Sequence, residues 1–129
     1  MTAENQVKAI IDEWALAARN EDMNGVLKNH DPNIVMFDLP YPLQSKGIEE
    51  YKKTWDLFFS WSKQLRVFDI VEMEIKANDH LAFFYGIMRC AGKTKDGNKE
   101  EYTFRLTMCF VNKNGKWLIC HEHHSLPTP

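Results

Sequence analysis

Residues 99–125 read KEEYTFRLTMCFVNKNGKWLICHEHHS, and this stretch decides the fold. Apolar and polar side chains alternate from Tyr102 to Phe110, which is the period of a β-strand with one buried face. The pair Asn114-Gly115 is typical of two-residue hairpin turns, and a second apolar strand begins at Trp117. The segment therefore predicts an antiparallel hairpin with strands at 99–112 and 116–125.

Two more strands are predicted before this hairpin, at about 64–77 and 80–94. Asp96-Gly97 is a strong turn signal between the second of these strands and the hairpin. Asn78-Asp79 is a weaker turn signal between the first two strands. Four consecutive strands joined by short turns indicate an antiparallel meander.

The first half of the chain is mainly helical in pattern. Residues 3–20 carry apolar side chains at helical spacing, a shorter helix follows the cap at Asp22, and a third begins after Gly47. The stretch 33–39 alternates like a short strand. Helices first and a meander last predict an α+β fold, with three N-terminal helices packed on a strongly curved, mostly antiparallel sheet. Such packing leaves a cone-shaped pocket for a small molecule.

Size and composition narrow the function classes. A chain of 129 residues with 44% hydrophobic content is expected to form a single domain, 1–129. The net charge of −2 offers no basic surplus for nucleic acid or for an anionic membrane surface. Three cysteines, an odd number, argue against a disulfide framework and favour a cytoplasmic location.

The end of the last strand is crowded with ionisable groups. His121, Glu122, His123 and His124 follow an apolar run, and unpaired polar groups on a buried strand cost free energy. The crowding predicts a pocket. His121 and His123 share a strand face and could bind a metal, but the pattern supplies no third ligand, so a metal-free site is expected. The absence of a nucleotide-binding glycine loop predicts no cofactor.

The register of the hairpin decides which of these side chains share a face. A two-residue turn at Asn114-Gly115 pairs Thr107 with Glu122, whereas a three-residue loop with a bulge pairs Thr107 with His121 and Arg105 with His123. We favour the bulged arrangement because it gathers Arg105, Thr107, His121 and His123 on one surface.

Two charged residues outside this cluster are further candidates. Asp38 follows apolar neighbours, so a pocket would raise its basicity; the alternative is a turn-capping role beside Pro40. Arg105 can present a donor fork to a carbonyl or carboxylate, it can pair internally with Glu122, or it can be an exposed cross-strand charge. Trp14 and Trp55 are either core residues or the aromatic lining of the pocket.

The chain resembles the α+β roll family of ketosteroid isomerases, scytalone dehydratase, SnoaL-like polyketide cyclases, nuclear transport factor and the kinase association domain. The resemblance rests on FDLPYPLQSKG at 37–47, on R-x-T-x-x-F from Arg105, and on NGKWLICHEHHSLP at 114–127. By resemblance to ketosteroid isomerase, Asp38 occupies the position of the proton-shuttling base. Trp14 and Thr107 occupy the positions of the two oxyanion donors.

These observations lead to two functional hypotheses. The first is an isomerase, dehydratase or cyclase that needs no metal or cofactor and moves protons on a small carbonyl compound. In it, Asp38, His121 and His123 are catalytic, and Trp14, Trp55, Arg105 and Thr107 bind the substrate. The second is a non-catalytic ligand-binding or oligomerisation module of the same fold. In both cases we expect a homodimer, because the outer sheet face carries apolar side chains that the helices do not cover.

Overall fold

The computed structural model describes residues 2–129 and confirms the α+β architecture. Helix α1 spans Ala3–Arg19, α2 spans Met23–Leu27 and α3 spans Ile48–Ser62. The helices pack on one side of a curled sheet. The six strands of that sheet are β1 (His30–Phe37), β2 (Ser45–Lys46), β3 (Phe68–Ala77), β4 (Leu81–Lys93), β5 (Lys99–Lys113) and β6 (Lys116–Ser125).

The strands lie in the order β2-β1-β6-β5-β4-β3. Strands β3 to β6 form the predicted antiparallel meander, and β1 pairs with β6 in parallel. The two-residue strand β2 was not predicted, and β1 begins at His30 rather than at residue 33. This earlier start matters because it places the His30 side chain in the protein interior.

Local sequence explains where the helices begin. The Thr2 hydroxyl accepts the Asn5 N–H at 3.1 Å, and the Asp22 carboxylate accepts the Gly25 N–H at 3.0 Å, so both side chains cap helix starts. Gly47 precedes α3 with a φ of 88°, a conformation that glycine adopts without strain. Helix α3 then buries Tyr51 and Trp55 against the sheet.

The β5–β6 register differs from both predicted alternatives. The turn has two residues, with positive φ at Asn114 and Gly115 and with Lys113 opposite Lys116. A bulge then adds one residue to β6 between Ile119 and His121, so Thr107 pairs with His123 and Arg105 with Ser125. The expectation that Arg105, Thr107, His121 and His123 share one surface is correct, although the pairs themselves are not the predicted ones.

The bulge separates β6 into two faces with different surroundings. On the inner face, toward the helices, Glu122 is fully buried and pairs with Met108, another buried residue. On the outer face, His123 and Arg105 are exposed. The shared surface predicted for the histidines and Arg105 is therefore the outer one.

Trp61 covers Gly92 at the far end of β4. A Cβ atom at Gly92 would lie 2.0 Å from Trp61 Cδ2, far inside contact distance. The Trp61 indole is also held by Glu100, whose Oε1 accepts its N–H at 3.0 Å. Glycine at this position therefore lets the α3 indole lie flat on the sheet.

We expect Gly92→Ala to destabilise the fold by about 1–3 kcal/mol, the range for overpacking a well-packed site. The cause is the Trp61 ring, so the same substitution made in a Trp61→Ala background should cost much less. Denaturant unfolding of the four proteins in this cycle measures the coupling. Equal costs of Gly92→Ala in both backgrounds would contradict the assigned contact.

Candidate active site

A cavity of about 710 Å³ opens between α3 and the inner sheet face. Its wall is mainly aromatic and aliphatic, and the loop after β1 and the C-terminal Leu126 contribute to its mouth. The charged or ionisable groups that reach it include Glu122 and His124 from β6, Asp38 from the loop after β1, and the Glu50–Lys53 pair from α3. A volume of this size, with few polar groups, suits a small and mostly apolar molecule.

Glu122 is the centre of a buried polar cluster, which we define as Trp14, His30, Tyr51, Glu122 and His124. Its Oε2 accepts the Tyr51 hydroxyl at 2.7 Å and lies 2.8 Å from His30 Nε2. Its Oε1 lies 3.0 Å from His124 Nε2. Three donors on one carboxylate satisfy the lone pairs that burial would otherwise leave unpaired.

The cluster is anchored behind Glu122 by two further hydrogen bonds. The Trp14 indole donates to the Tyr51 hydroxyl at 3.1 Å, and His30 Nδ1 lies 2.9 Å from the Lys28 carbonyl oxygen. The His30 and Tyr51 rings are in contact, with centroids 4.6 Å apart. Tyr51 and Glu122 are therefore occupied, whereas His124 Nδ1 makes no protein hydrogen bond within residues 2–129.

The charges of the cluster follow from these contacts. Burial raises the pKa of Glu122, but the hydrogen bonds from His124 and His30 outweigh it and hold the pKa at about 2. Burial lowers the pKa of His124, but the hydrogen bond and charge of Glu122 raise it above its ordinary value, and the charge of Asp38 adds to this effect. Glu122 and Asp38 therefore both favour the cationic form of His124, which lines the cavity beside the Glu122 carboxylate.

His124 is the member of the cluster that reaches the cavity most openly. Its side chain is 11% exposed, against 0% for His30 and Glu122. The imidazole stacks on Phe104, with centroids 5.6 Å apart and planes at 22°. Because Nε2 is held by Glu122, the ring is fixed in orientation and leaves Nδ1 for a ligand.

Asp38 also lines the cavity, directly after the end of β1. Its Oδ1 accepts the Leu39 N–H at 2.8 Å. Asp38 therefore lines the cavity and also accepts a backbone hydrogen bond in the turn before Pro40. It follows Phe37, which pairs with His123, and so Asp38 comes close to His124 along the parallel β1–β6 ladder. The Asp38 carboxylate and the His124 imidazole therefore both line the cavity, and Asp38 is near enough to raise the pKa of His124.

Five of the seven predicted site residues lie outside the cavity, and four of these five are on the outer sheet face. The expected convergence of Arg105 and a histidine with Asp38 in one cavity is therefore wrong. Arg105 and Thr107 are exposed on the outer face, where the Arg105 Nε–H donates to Ser125. His121 donates to the Val35 carbonyl from Nδ1, and Phe37 packs against both His121 and His123. The physical reason is the bulge in β6, which places Glu122 and His124 on the inner face instead.

The two predicted tryptophans have different positions. Trp55 lines the cavity, whereas Trp14 is buried behind Tyr51 and is not part of the cavity wall. His30 and Tyr51 were not predicted as site residues. Glu122 and His124 belong to the ionisable cluster that predicted a pocket, but the favoured register placed His121 and His123 in the site instead. Tyr51 lies four residues before Trp55 on the buried face of α3, and a polar hydroxyl on that apolar face was the available signal.

Within residues 2–129, no group of three or more His, Cys, Asp or Glu side chains is arranged to hold a metal ion. The described helices also include none that is both long and apolar enough to cross a membrane. All three cysteines are free thiols.

A family model described as a SnoaL-like domain matches residues 7–129. The chain belongs to the SnoaL-like family. No curated protein matches the sequence. Among solved structures, the SnoaL-like chain is similar to an NTF2-like protein of unknown function from Pseudomonas putida KT2440. The two are 26% identical with a TM-score of 0.84, and the match covers 98% of this chain and 88% of that one.

Two more distant structures share the fold of this SnoaL-like protein. One is a putative calcium/calmodulin-dependent protein kinase II association domain from Xanthomonas campestris, with 20% identity, a TM-score of 0.80, and 96% and 88% coverage of this chain and that one. The other is a ketosteroid isomerase-like protein from Erwinia carotovora atroseptica SCRI1043, with 17% identity, a TM-score of 0.75, and 95% and 94% coverage. At these identities the likeness shows a shared fold and no shared activity.

We expect Glu122→Gln to lower the free energy of unfolding by about 3 kcal/mol at pH 7, because it leaves buried imidazole donors without their carboxylate. The wild-type protein should also lose stability as the pH falls from the ordinary glutamate value of 4.5 toward about 2, and the variant should lose less over that window. Denaturant titrations at several pH values measure both effects. The exposed Glu49→Gln is the control, and a variant matching wild type at every pH would contradict the assigned charge.

Proposed function

We propose that this SnoaL-like protein binds a small, mostly apolar carbonyl compound and catalyses proton transfer on it. The observation that carries the proposal is the proximity of Asp38 and His124 in one largely apolar cavity. Isomerisation, dehydration and aldol-type cyclisation all begin with such a proton transfer. No metal or cofactor is needed for it.

Asp38 and His124 have different roles in the proposed proton transfer. Asp38, as a carboxylate, removes a proton from the carbon next to the carbonyl group. His124, as an imidazolium, donates a hydrogen bond from Nδ1 to the carbonyl oxygen as negative charge develops there. Return of the proton from Asp38 to a carbon atom gives the isomer or the starting compound, so protons and charge balance.

Glu122 is not the base in this scheme. Both of its oxygens already accept hydrogen bonds, and its side chain is 0% exposed. Its contribution is to hold His124 in one orientation and in its charged form. Trp55 and Phe58 provide apolar surface for the body of the substrate.

Deuterium exchange tests this proposal without knowledge of the natural substrate. The protein is incubated in D₂O with cyclic ketones such as 2-tetralone, and exchange beside the carbonyl is followed by NMR. Asp38→Asn should reduce the catalysed rate about 100-fold or more, the usual contribution of a general base, and His124→Gln should also reduce it. Asp56→Asn, an exposed acid on α3, is the control.

Absence of exchange above the buffer rate for every ketone would contradict the enzyme proposal. The alternative, a ligand-binding module, would then be favoured if the same ketones bind with measurable affinity. Equal exchange rates for wild type and Asp38→Asn would reject Asp38 as the base.

We also propose that the protein is a homodimer paired through the outer sheet face. Phe83 and Tyr85 are exposed there and stack on each other, with centroids 6.3 Å apart. The face is acidic along β3, at Glu72 and Glu74, and carries Arg105 on β5. A two-fold axis between two copies would bring the acidic side of one copy to the basic side of the other.

Sedimentation velocity at micromolar concentration should therefore show a species of twice the chain mass. Tyr85→Lys should shift it to a monomer, because the substitution places a charge in the middle of the apolar strip. Leu16→Lys, a similar change at an exposed residue of α1, should leave the dimer intact. A wild-type monomer would contradict the proposal.

The three free thiols fit a reducing compartment, and we propose the cytoplasm as the location of the protein.

A further inference from the structure

Four residues of the cavity wall carry a hydroxyl group, and within residues 2–129 only that of Ser45 is both buried and unpaired. Thr54 donates to the Tyr51 carbonyl oxygen at 2.6 Å, and Tyr102 donates to a carboxylate at 3.1 Å. The fourth, Tyr41, is 87% exposed, so solvent can bond its hydroxyl. Ser45 is 7% exposed, and its hydroxyl makes no hydrogen bond to the described residues.

The Ser45 hydroxyl is open to the cavity. Among residues 2–129, Trp55 Nε1 is the only buried side-chain nitrogen or oxygen that is both unpaired and sealed from solvent. Ser45 lines the cavity, and its unpaired Oγ is not sealed in this way, so a ligand atom can reach it. A buried hydroxyl without a protein partner has a free-energy cost that a bound ligand can remove.

The sheet register fixes the direction of the Ser45 side chain. Ser45 is directly opposite Met36 in the antiparallel β1–β2 pair, and the Gly47 N–H donates to the Ile34 carbonyl at 2.7 Å on the same pair of strands. Residues opposite each other in a sheet point to the same face. Met36 is buried and lines the cavity, so the Ser45 side chain is on the inner face as well.

Asp38 lies between Ser45 and His124. Strand β1 has β2 on one side and β6 on the other, and Asp38 follows the end of β1, two residues after Met36. Ser45 is therefore the diagonal neighbour of Asp38, at a Cα separation of about 7–8 Å. His124 is on the opposite side of Asp38, since Phe37 pairs with His123. A molecule lying across the end of β1 can contact all three side chains.

We propose that Ser45 is a specificity-determining residue: its hydroxyl binds a second oxygen of the substrate while the carbonyl oxygen lies at His124. The substrate class is then a carbonyl compound that carries a further hydroxyl or carbonyl group a few carbon atoms away. A serine hydroxyl can donate to either group and can also accept from a hydroxyl. This inference rests on the proposed function, because the position of the carbonyl oxygen comes from it.

Matched pairs of ligands test the proposal without turnover. The first pair is 3-hydroxycyclohexanone and 3-methylcyclohexanone, and the second is 4-hydroxycyclohexanone and 4-methylcyclohexanone, so each pair compares a hydroxyl with a methyl group. Binding is followed by NMR of the Trp55 indole, which lines the cavity and is identified with Trp55→Phe. In Ser45→Ala, the preference for hydroxyl over methyl should fall about 10-fold for at least one pair, the usual effect of one hydrogen bond. Ser62→Ala is the matched control, because Ser62 is a buried serine outside the cavity wall.

The stability of the ligand-free protein separates binding from a structural role of Ser45. Removal of a hydroxyl that has no protein partner should leave the free energy of unfolding unchanged or raise it. Denaturant unfolding measures this difference. A Ser45→Ala protein clearly less stable than wild type would show that the hydroxyl holds the fold, and it would overturn the proposal.

The binding results also distinguish this proposal from the proposed reaction. An unchanged hydroxyl preference in Ser45→Ala for both pairs, or an equal loss in Ser62→Ala, would overturn the role of Ser45 and leave the ketone exchange reaction standing. Absence of binding by all four compounds would reject the carbonyl site and the Ser45 site together. A lost preference without ketone exchange in D₂O would support Ser45 as a ligand-binding residue and reject the catalytic proposal.

Discussion

Glu122 is a fully buried carboxylate, and leaving such a charge unpaired would cost several kcal/mol. The hydrogen bonds from Tyr51, His30 and His124 offset that cost. Each of these donors comes from a different place in the sequence, so the carboxylate ties α3, β1 and β6 together. The buried polar cluster beside the cavity depends on this one carboxylate.

The fold supplies the geometry that this carboxylate needs. The parallel pairing of β1 with β6 brings Asp38 toward His124. The bulge before His121 then turns Glu122 and His124 inward. A one-residue shift without the bulge would exchange the faces and place Glu122 among the exposed outer residues. The site is therefore a consequence of one extra residue in a strand.

Periodicity was enough to predict most of the fold. The hairpin at Asn114-Gly115, the meander and the three helices all follow from local patterns that the structure confirms. The site was predicted less well: Asp38 and Trp55 line the cavity, but Arg105 and His121 lie on the outer face. The alternation along 117–125 does not show a bulge, because Cys120 fits either face. His30 was missed because the alternation that predicts the first strand begins at residue 33, whereas long-range pairing to Ile119 makes His30 part of β1.

The ionisation of Glu122 is the central claim, since its charge and hydrogen bond raise the pKa of His124. Infrared difference spectroscopy of wild type against Glu122→Gln, with ¹³C-labelled glutamate, measures it at neutral pH. The account predicts that the band lost in the variant is a carboxylate stretch, which disappears only as the wild-type protein is brought toward pH 2. A lost band in the carboxylic acid region at neutral pH would contradict it, because a protonated Glu122 would donate to one histidine and leave that ring neutral.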